Sequence, residues 1–314
     1  IRGEIRDLDV LLIGGGNLVM DIYREWPLYP LIYALLARSA HTPMMFYAVG
    51  AGPIRSWRGR LYLGLACRLA KAITFRDQES LDFVSQTLGI KRDKLLLSAD
   101  PALCLSVEKQ GSEPTTRGQL RIAMSVVPFY SPSYWPDPDA AIYERYVHSM
   151  AQVIESVHRC LDARVILFAT NHPHDVMVAE KVAGQLADRS QVEVVQRRLG
   201  VQELLSLLAD SDLVIGTRLH SLILSFVAGT PALALAYQPK VAHFYKRVGM
   251  EDYVIQLHQD MLIDPVLVRA GYLLDKLYCE KEAIRVHIQH QLRRLQAEAQ
   301  ASVDVVVRMA EGDS

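Results

Sequence analysis

Cysteine is scarce in this chain, and no apolar segment is both long and uninterrupted. The four cysteines are widely spaced and form no CxxC pair, which argues against a disulfide framework or a structural zinc site and indicates a reducing, cytoplasmic environment. The long uncharged stretch 221–239 is interrupted by Gly229, Thr230 and Pro231. Because a membrane-spanning helix needs about 20 apolar residues, the sequence predicts no transmembrane segment.

The chain also lacks an excess of charge of either sign. Its 34 Lys and Arg nearly balance its 35 Asp and Glu, whereas a protein that coats nucleic acid has a basic surplus. With 50% hydrophobic and 22% charged residues, the composition predicts folded domains rather than disorder. The chain begins Ile-Arg-Gly-Glu without a basic and apolar leader. Since the first predicted strand follows within about ten residues, we expect a preceding segment to be missing.

Short apolar runs alternate with longer amphipathic ones, a pattern typical of βα units around a parallel sheet. In the first half the pattern predicts strands at 10–13, 44–49, 72–75 and 95–98, with helices at 30–40, 56–71 and 78–88. In the second half it predicts strands at 121–126, 164–168, 192–195, 213–215 and 232–236, with helices at 140–160, 175–188, 201–209 and 219–227.

These elements predict two Rossmann-like α/β domains facing a cleft, followed by a helical tail. The domains are expected at 1–107 and 121–262, and the first of them is expected to lack its own first strand. The polar segment 108–120 reads as a linker, and the tail, 263–314, is expected to pack back across both domains. Ligands of such sheets bind at the carboxyl ends of the strands.

The richest candidate site follows the strand at 213–215. Gly216 and Thr217 lead into a helix start, which binds anions through its N–H groups and dipole. Arg218 adds a guanidinium suited to carboxylate or phosphate, and His220 can exchange protons near neutral pH. The next strand brings Lys240 to the same sheet edge. The alternative is that His220 and Arg218 are an ordinary helix residue and a surface charge.

The first half offers weaker candidates at its strand ends. Gly14, Gly15 and Gly16 end the first strand and permit positive φ or close approach to a ligand. Asn17 and Asp21 follow, and both could hydrogen-bond sugar hydroxyls, with Asp21 also able to act as a base. A tight turn explains this segment equally well. Arg76, at the end of the strand 72–75, is expected to face an anion in the cleft.

A polar segment and an aromatic loop follow two strands of the second half. In Asn171-His172-Pro173-His174-Asp175, His172 is a candidate for contact with a sugar or donor. A metal site is the alternative, but no further ligand at a suitable spacing is apparent, and Asp175 is also explained as a helix cap. The segment 128–139 is rich in aromatic residues and proline. Its Tyr134 and Trp135 are candidates for contact with a sugar, because aromatic faces commonly stack on sugars.

Taken in order, several motifs resemble those of the polysaccharide pyruvyl transferase family. They are GGGNLxxD, GxGP, FRDxxS, DPA and GTRLHSL, followed by Tyr237-Gln-Pro-Lys240, and they lie within about residues 8–255. The RLH triplet with a lysine about twenty residues later is the most specific part. Two features depart from the family: the GNxGDE-like opening segment is absent, and Val49 stands where glutamine is frequent.

The resemblance implies a GT-B-like transferase in cell-surface polysaccharide biosynthesis. Phosphoenolpyruvate would donate a pyruvyl group to two hydroxyls of a glycan or lipid-linked saccharide, giving a cyclic ketal and phosphate. His220 would be the acid/base, assisted by Arg218 and Asp21. The remaining contacts divide between the donor, bound by Arg218, Lys240, Arg76, Gly216 and Thr217, and the acceptor, bound by Gly15, Gly16, Asn17, Asp21 and His172.

No cofactor, metal or nucleic-acid partner is expected. The enzyme would act in the cytoplasm, with association at the inner face of the membrane left open, as is its oligomeric state. A nucleotide-sugar glycosyltransferase or epimerase on the same scaffold is one alternative. A carbohydrate-binding scaffold without catalytic activity is the other.

Overall fold

The computed structural model of the chain describes residues 2–108, 119–257 and 264–312. It divides into two compact units. The first, called the N-terminal unit below, comprises Ile1–Cys104 with Arg293–Ser314, and the second, the C-terminal unit, comprises Leu105–Leu292. Most of the predicted linker, residues 109–118, lies outside the described residues.

A five-stranded parallel sheet forms the centre of the N-terminal unit. Its strands are β1 (Leu11–Gly14), β2 (Asn17–Val19), β3 (Met44–Ala51), β4 (Ala72–Phe75) and β5 (Leu95–Leu97). They lie in the order β1–β3–β4–β5, and β2 pairs with the carboxyl end of β3. The helices are α1 (Arg2–Arg6), α2 (Leu28–Ala40), α3 (Trp57–Leu69) and α4 (Gln78–Leu88).

The C-terminal unit contains a six-stranded parallel sheet with two directions of winding. Its strands are β6 (Arg121–Ser125), β7 (Arg164–Phe168), β8 (Val192–Val194), β9 (Leu213–Gly216), β10 (Ala232–Ala236) and β11 (Val254–Gln256), in the order β11–β10–β9–β6–β7–β8. The chain winds outward from β6 to β8 and then returns to place β9 on the other side of β6. The carboxyl ends of β6 and β9 therefore form a topological switch point, where α/β sheets bind ligands.

Helices cover the second sheet and continue into the C-terminal region. They are α5 (Ala140–Leu161), α6 (His174–Gly184), α7 (Val201–Ala209), α8 (Leu219–Ala228), α9 (Pro239–Arg247), α10 (Asp264–Cys279) and α11 (Lys281–Glu311). Every residue of β9 and β10 is buried, as expected of parallel strands covered on both faces. Within the described residues, no helix is long and apolar enough to cross a bilayer.

The predicted α/β class with parallel sheets and a helical C-terminal region is confirmed. Four elements of the structure were not predicted from the sequence: α1, β2, α9 and β11. Three of them are only three to five residues long, too short for a periodic pattern. The fourth, α9, has only Val241 and Tyr245 buried, and its remaining residues are polar or partly exposed.

Candidate functional site

The switch point of the C-terminal unit is held together by a buried network around Ser125. The backbone N–H of Thr217 donates to the Ser125 hydroxyl at 3.1 Å, and the Thr217 hydroxyl donates to the Ser125 carbonyl at 3.0 Å. The Ser125 hydroxyl in turn donates to that of Ser221 at 2.8 Å. All three side chains are buried. The Thr217 side chain therefore fastens β9 and α8 to β6, which favours a positioning role over direct donor contact.

Gly216 is required by the close approach of α8 to the end of β9. A Cβ at this position would lie 2.4 Å from Cδ2 of Leu222 and 2.9 Å from the Ser221 hydroxyl. Such distances are shorter than atomic contact allows, so a side chain would displace the first turn of α8. The glycine thus fixes where the following arginine stands.

Arg218 occupies the N-cap position of α8, and its side chain, which makes no capping hydrogen bond, forms a bidentate pair with Asp175. Its Nε lies 3.0 and 2.8 Å from the two carboxylate oxygens, and its Nη2 lies 2.6 Å from Oδ1. Asp175 is fully buried in the first turn of α6, whereas 16% of the Arg218 side chain is exposed. Burial would lower the pKa of Arg218, but the hydrogen bonds and charge of Asp175 raise it. The guanidinium is therefore charged and fixed in orientation.

The carboxylate of Asp175 is itself positioned by the backbone. The N–H groups of Asn171 and Thr170 donate to its Oδ2 at 2.9 and 3.3 Å. The loop between β7 and α6 thus holds Asp175, which in turn holds Arg218. The sequence reading of Asp175 as a helix cap missed this pairing, because residues 43 positions apart give no signal of contact in a single sequence.

Two tyrosines flank the guanidinium. The Arg218 Cζ lies 5.8 Å from the centre of the Tyr134 ring, and the Tyr134 hydroxyl accepts a hydrogen bond from Asn171 at 3.0 Å. On β10's side, burial raises the pKa of Tyr237, while the charge of Arg218 opposes that shift. Tyr237 and Arg218 are therefore neighbours across the ends of β9 and β10. The Arg218 guanidinium therefore lies between two aromatic side chains, a favourable setting for a cation.

The aromatic loop before α5 is ordered by packing among its own side chains. Phe129 lies at the centre, with ring centroids of Tyr130, Trp135, Tyr146 and Tyr237 between 4.7 and 6.1 Å away. Trp135 stacks on Tyr130 within this group, whereas Tyr134 remains 36% exposed beside Arg218. Of the two predicted sugar-stacking residues, Tyr134 therefore has the accessible ring.

His220 and Lys240 lie in the first turns of two helices, α8 and α9, which follow the adjacent strands β9 and β10. His220 is the second residue of α8 and is exposed, and Lys240 is the second residue of α9 and is half-buried. Because β9 and β10 pair in parallel, with Gly216 opposite Ala234, the two helices start at the same sheet edge. This edge also contains Arg218 and Tyr237. Helix N-termini carry a partial positive charge, so the edge suits an anion.

His172 lies in the loop between β7 and α6. Its side chain is exposed, and Nε2 lies 3.0 Å from the carbonyl oxygen of Gln196. In the described part of the chain, no group of three or more His, Cys, Asp or Glu residues is arranged to hold a metal ion. The acceptor role of His172 stays a prediction.

The first-half motifs meet around Gly50 in the N-terminal unit. A Cβ on Gly50 would lie 2.8 Å from Oδ1 of Asn17 and 3.2 Å from Nη2 of Arg76. The amide of Asn17 donates to the carbonyl of Gly52 at 2.7 Å. Gly15 and Gly16 have positive φ angles of 77° and 72°, and this backbone places Asn17 beside β3. The glycine loop and the GxGP loop therefore form one structure.

Arg76 is buried and paired within the same unit. Its Nη1 lies 3.0 Å from Oδ2 of Asp100, and 6% of its side chain is exposed. The other oxygen of Asp100 accepts the N–H of Ala102 at 3.1 Å. The FRD and DPA motifs thus pack against each other. These contacts favour a structural role for Arg76 over the predicted contact with an anionic donor.

Asp21 also makes contacts that oppose its predicted role as a base. Its carboxylate accepts the N–H of Arg55 at 2.9 Å and that of Ser56 at 2.6 Å. Partial burial would raise the pKa of Asp21, but these hydrogen bonds prevail and lower it. A carboxylate with a lowered pKa is a poorer base. The contacts instead anchor the start of α3.

Comparison with known proteins adds a family and a fold. Residues 2–239 match the family model described as polysaccharide pyruvyl transferase. The amylovoran biosynthesis protein AmsJ of Erwinia amylovora is 24% identical over 283 residues, which cover 87% of this chain and 67% of AmsJ.

Solved structures with a similar fold include an epimerase and a glycosyltransferase. A putative UDP-N-acetylglucosamine 2-epimerase from Listeria monocytogenes has a TM-score of 0.65 at 14% identity, covering 100% of this chain and 79% of the epimerase. A glycosyltransferase from Rickettsia africae has a TM-score of 0.61 at 11% identity, covering 100% and 80% of the two chains. At such identities the similarity establishes the GT-B-like fold alone.

Proposed function

Because this chain belongs to the polysaccharide pyruvyl transferase family, we propose that it transfers the pyruvyl group of phosphoenolpyruvate to two hydroxyls of a glycan sugar. The product is a cyclic ketal, and inorganic phosphate is released. Family membership makes the chain a transferase of polysaccharide synthesis. The donor, the ketal and the residue roles below are our proposal.

The observation that carries the proposal is the fixed guanidinium of Arg218 at the switch point. Asp175 engages Nε and Nη2, which leaves Nη1 outside the pair. We assign Nη1 to an anionic group of the donor. Its orientation is set before the donor arrives, so less conformational entropy is lost on binding.

Phosphoenolpyruvate carries a carboxylate and a phosphate, and Arg218 alone does not balance them because Asp175 neutralises its charge. Lys240 and the N-terminal ends of α8 and α9 supply the remaining positive potential in this proposal. Arg76 and Asp21 have no role in the proposed reaction, because their side chains make the structural contacts described above. Gly216 and Thr217 shape the site without touching the donor through their side chains.

Ketal formation requires a balanced transfer of protons. One acceptor hydroxyl gives up its proton as its oxygen adds to C2 of phosphoenolpyruvate, and C3 takes up a proton as the C2–C3 double bond becomes single and C3 becomes a methyl group. The second hydroxyl then replaces the phosphate at C2, and its proton leaves with the phosphate or a base. In this proposal His220 acts as the acid and base because it lies exposed in the first turn of α8, two residues after Arg218, and histidine is the side chain used most often for proton transfer in enzymes. Arg218 stabilises the phosphate as it departs.

The acceptor sugar stacks on the exposed ring of Tyr134 in this scheme, because aromatic faces pack well on the apolar faces of sugars. The acceptor contact predicted for His172 of the C-terminal unit and, separately, those predicted for Gly15, Gly16 and Asn17 of the N-terminal unit stay predictions. Phosphoenolpyruvate is a cytoplasmic metabolite, so the reaction is placed in the cytoplasm. No cofactor is part of the proposed mechanism.

Phosphate release from phosphoenolpyruvate, measured over a panel of free and lipid-linked glycans, tests the proposal. We expect release only with an acceptor, and mass spectrometry should show a product that has gained a pyruvyl ketal. His220→Asn should lower kcat by roughly a hundredfold or more while the donor still raises the melting temperature. His148→Asn, an exposed histidine of α5, is the matched control and should leave kcat unchanged.

Two results would overturn the assignment. Turnover of the His220 variant near the wild-type rate would remove its role. A melting temperature raised by UDP- or GDP-sugars but not by phosphoenolpyruvate would indicate a nucleotide-sugar enzyme instead.

A further inference from the structure

The outer face of the α2 and α3 pair is apolar although it is exposed. The two helices pack side by side, and each joins parallel strands that are neighbours in the sheet, which places both on the same side of it. Their exposed apolar residues recur at helical spacing and include Leu28, Ile32 and Leu35 of α2 and Trp57, Leu61 and Leu65 of α3. We call these six residues the α2–α3 face.

The sequence of α2 is apolar on both sides of the helix. Leu31, Ala34 and Ala37 point into the core, yet the opposite side also presents apolar residues. A surface helix of a globular protein usually has a polar outer side, and large exposed apolar patches mark sites of interaction with proteins or membranes. The α2–α3 face therefore has the composition of an interaction surface rather than that of an ordinary protein exterior.

The aromatic residues on and beside this face have the character of residues at a membrane surface. Trp57 is 69% exposed, and Tyr29 and Tyr33 are 51% and 40% exposed. Each has an apolar ring and one polar group, a combination enriched where lipid headgroups meet the hydrocarbon.

The charge of the segment indicates which partner the face binds. From residue 22 to residue 71 the chain has seven Lys or Arg residues but only one acidic residue, Glu25, although the whole chain has a net charge of −1. The nearby Asp21 is occupied by backbone N–H groups. Arg55, Arg58 and Arg60 surround Trp57 in the sequence, and all three are exposed.

We propose that the α2–α3 face docks the protein on an anionic phospholipid bilayer. The apolar and aromatic side chains enter the headgroup region, and the surrounding arginines bind lipid phosphates. The proposal depends neither on the identity of the pyruvyl donor nor on that of the acceptor. Docking of this kind would hold the enzyme where lipid-linked saccharides are found.

Sedimentation of the full chain with vesicles tests the proposal. We expect binding to vesicles of phosphatidylcholine containing phosphatidylglycerol and much weaker binding to phosphatidylcholine alone. The distance over which charges attract shortens from about 10 Å at 0.1 M salt to about 3 Å at 1 M. Binding to the anionic vesicles should therefore weaken as the salt concentration is raised. Arg58→Gln combined with Arg60→Gln should weaken binding by roughly fivefold per arginine.

A variant with Ile32, Leu35, Trp57 and Leu61 all changed to Gln should lower vesicle binding by roughly tenfold or more. The matched control changes Tyr272 and Val286 to Gln, since both are 68% exposed in the C-terminal unit, and it should bind as the wild type does. Circular dichroism and the melting temperature establish that each variant is folded.

Three outcomes would overturn the proposal. The wild-type chain could fail to bind anionic vesicles, or the fourfold variant could bind them as well as the wild type. Light scattering could instead show a wild-type dimer that becomes a monomer in the fourfold variant while neither binds vesicles. That last result would assign the face to a second copy of the chain. Phosphate release, measured separately without vesicles, tests the proposed function on its own.

Discussion

At the scale of single residues, Arg218 and Asp175 behave as one unit. A buried ion pair gains little net stability, because desolvation offsets the attraction, but removing one partner leaves an uncompensated buried charge. The pair nevertheless fixes the orientation of the Arg218 guanidinium plane, whereas the guanidinium of an unpaired surface arginine can rotate. We therefore interpret the pair as preorganisation for an anion rather than as a source of stability.

A double-mutant cycle tests that interpretation. Arg218→Lys should lower kcat/KM for phosphoenolpyruvate by about 10- to 100-fold, since a hydrogen bond to a charged group contributes about 1.5–3 kcal/mol. Asp175→Asn should cause a similar loss by freeing the guanidinium. If Asp175 acts through Arg218, the double variant should be little worse than Arg218→Lys alone.

Arg164→Lys is the control for this cycle. Arg164 forms an exposed ion pair with Glu193 at the opposite end of β7, so the same chemical change there should leave kcat/KM unaffected. Losses that multiply in the Arg218 and Asp175 double variant would instead assign Asp175 a role independent of Arg218.

A second residue-scale prediction concerns the Cys67 thiol. Its complete burial raises the pKa to about 12, so about one thiol in ten thousand is ionised at pH 8. In the native protein, iodoacetamide should label exposed Cys160 and Cys279 and leave Cys67 unmodified. Mass spectrometry after unfolding in guanidinium should then show Cys67 labelled as well. Equal labelling rates in the native state would contradict the buried position.

The residue types of the candidate site could be predicted from the sequence, but their partners could not. Arg218 and Lys240 were identified because strand ends of parallel sheets meet at one edge. The sequence does not reveal that Thr217 turns inward to Ser125 or that Asp175 pairs with Arg218, because both contacts join residues more than forty positions apart. Asp21 and Arg76 were expected to meet ligands, but each has hydrogen-bond partners within its own unit.

At the scale of elements, the junction between β9 and α8 depends on the absence of a side chain. Gly216→Ala would place its Cβ against Leu222 and Ser221, and relief of this overlap should cost about 1–3 kcal/mol of unfolding free energy. Urea denaturation followed by circular dichroism measures the loss. We also expect kcat to fall, because the displaced turn contains His220.

Gly184→Ala is the matched control for that substitution. Gly184 is the last residue of α6, and a Cβ there meets no atom within 4 Å. Alanine has a higher helix propensity than glycine, so this variant should be as stable as the wild type or slightly more stable. Equal destabilisation of both variants would mean that the loss of stability in Gly216→Ala does not come from overlap of the new Cβ with Leu222 and Ser221.

Elements with a strong pattern and clear end signals were predicted to the residue. These are β4, α4, β7, α7 and β10, and α4 ends before Gly89, a left-handed residue with φ 61°, a conformation that favours glycine. The helix predicted at 175–188 begins at His174 and ends at Gly184. The N–H groups of Gln185 and Leu186 donate to the carbonyls three residues earlier, Val182 and Ala183, so the α-helical hydrogen bonding stops there although the apolar pattern continues.

At the scale of the whole molecule, each unit contains its own parallel sheet, and the family match spans both units. Alternating strands and helices made this architecture predictable, since each sheet is formed by consecutive βα units. The sequence did not reveal that the C-terminal helix, α11, contributes to the N-terminal unit. Its residues from Arg293 onward belong to the N-terminal unit, nearly two hundred positions away in sequence.

The C-terminal part of α11 is an integral part of the N-terminal core. Leu295 and Ala299 are buried, and Val305 and Met309 pack with Met45 of β3 and Ala72 of β4. Hydrogen bonds add to this packing: the Gln296 side chain donates to the Leu103 carbonyl at 2.9 Å, and the Ser302 hydroxyl donates to that of Ser98 at 2.6 Å. Loss of this packing should therefore destabilise the sheet of the N-terminal unit.

Leu295→Ala tests that expectation by removing a side chain that is 1% exposed. We expect a loss of about 2–5 kcal/mol, because the cavity adds to the lost burial of apolar surface. Hydrogen exchange should show reduced protection in β3 and β4 and unchanged protection in β9 and β10, since local stability follows the core to which a residue belongs. Val307→Ala, at a position that is 47% exposed on the same helix, should leave both sheets protected. An equal loss of protection in β10 would mean that the two cores unfold together.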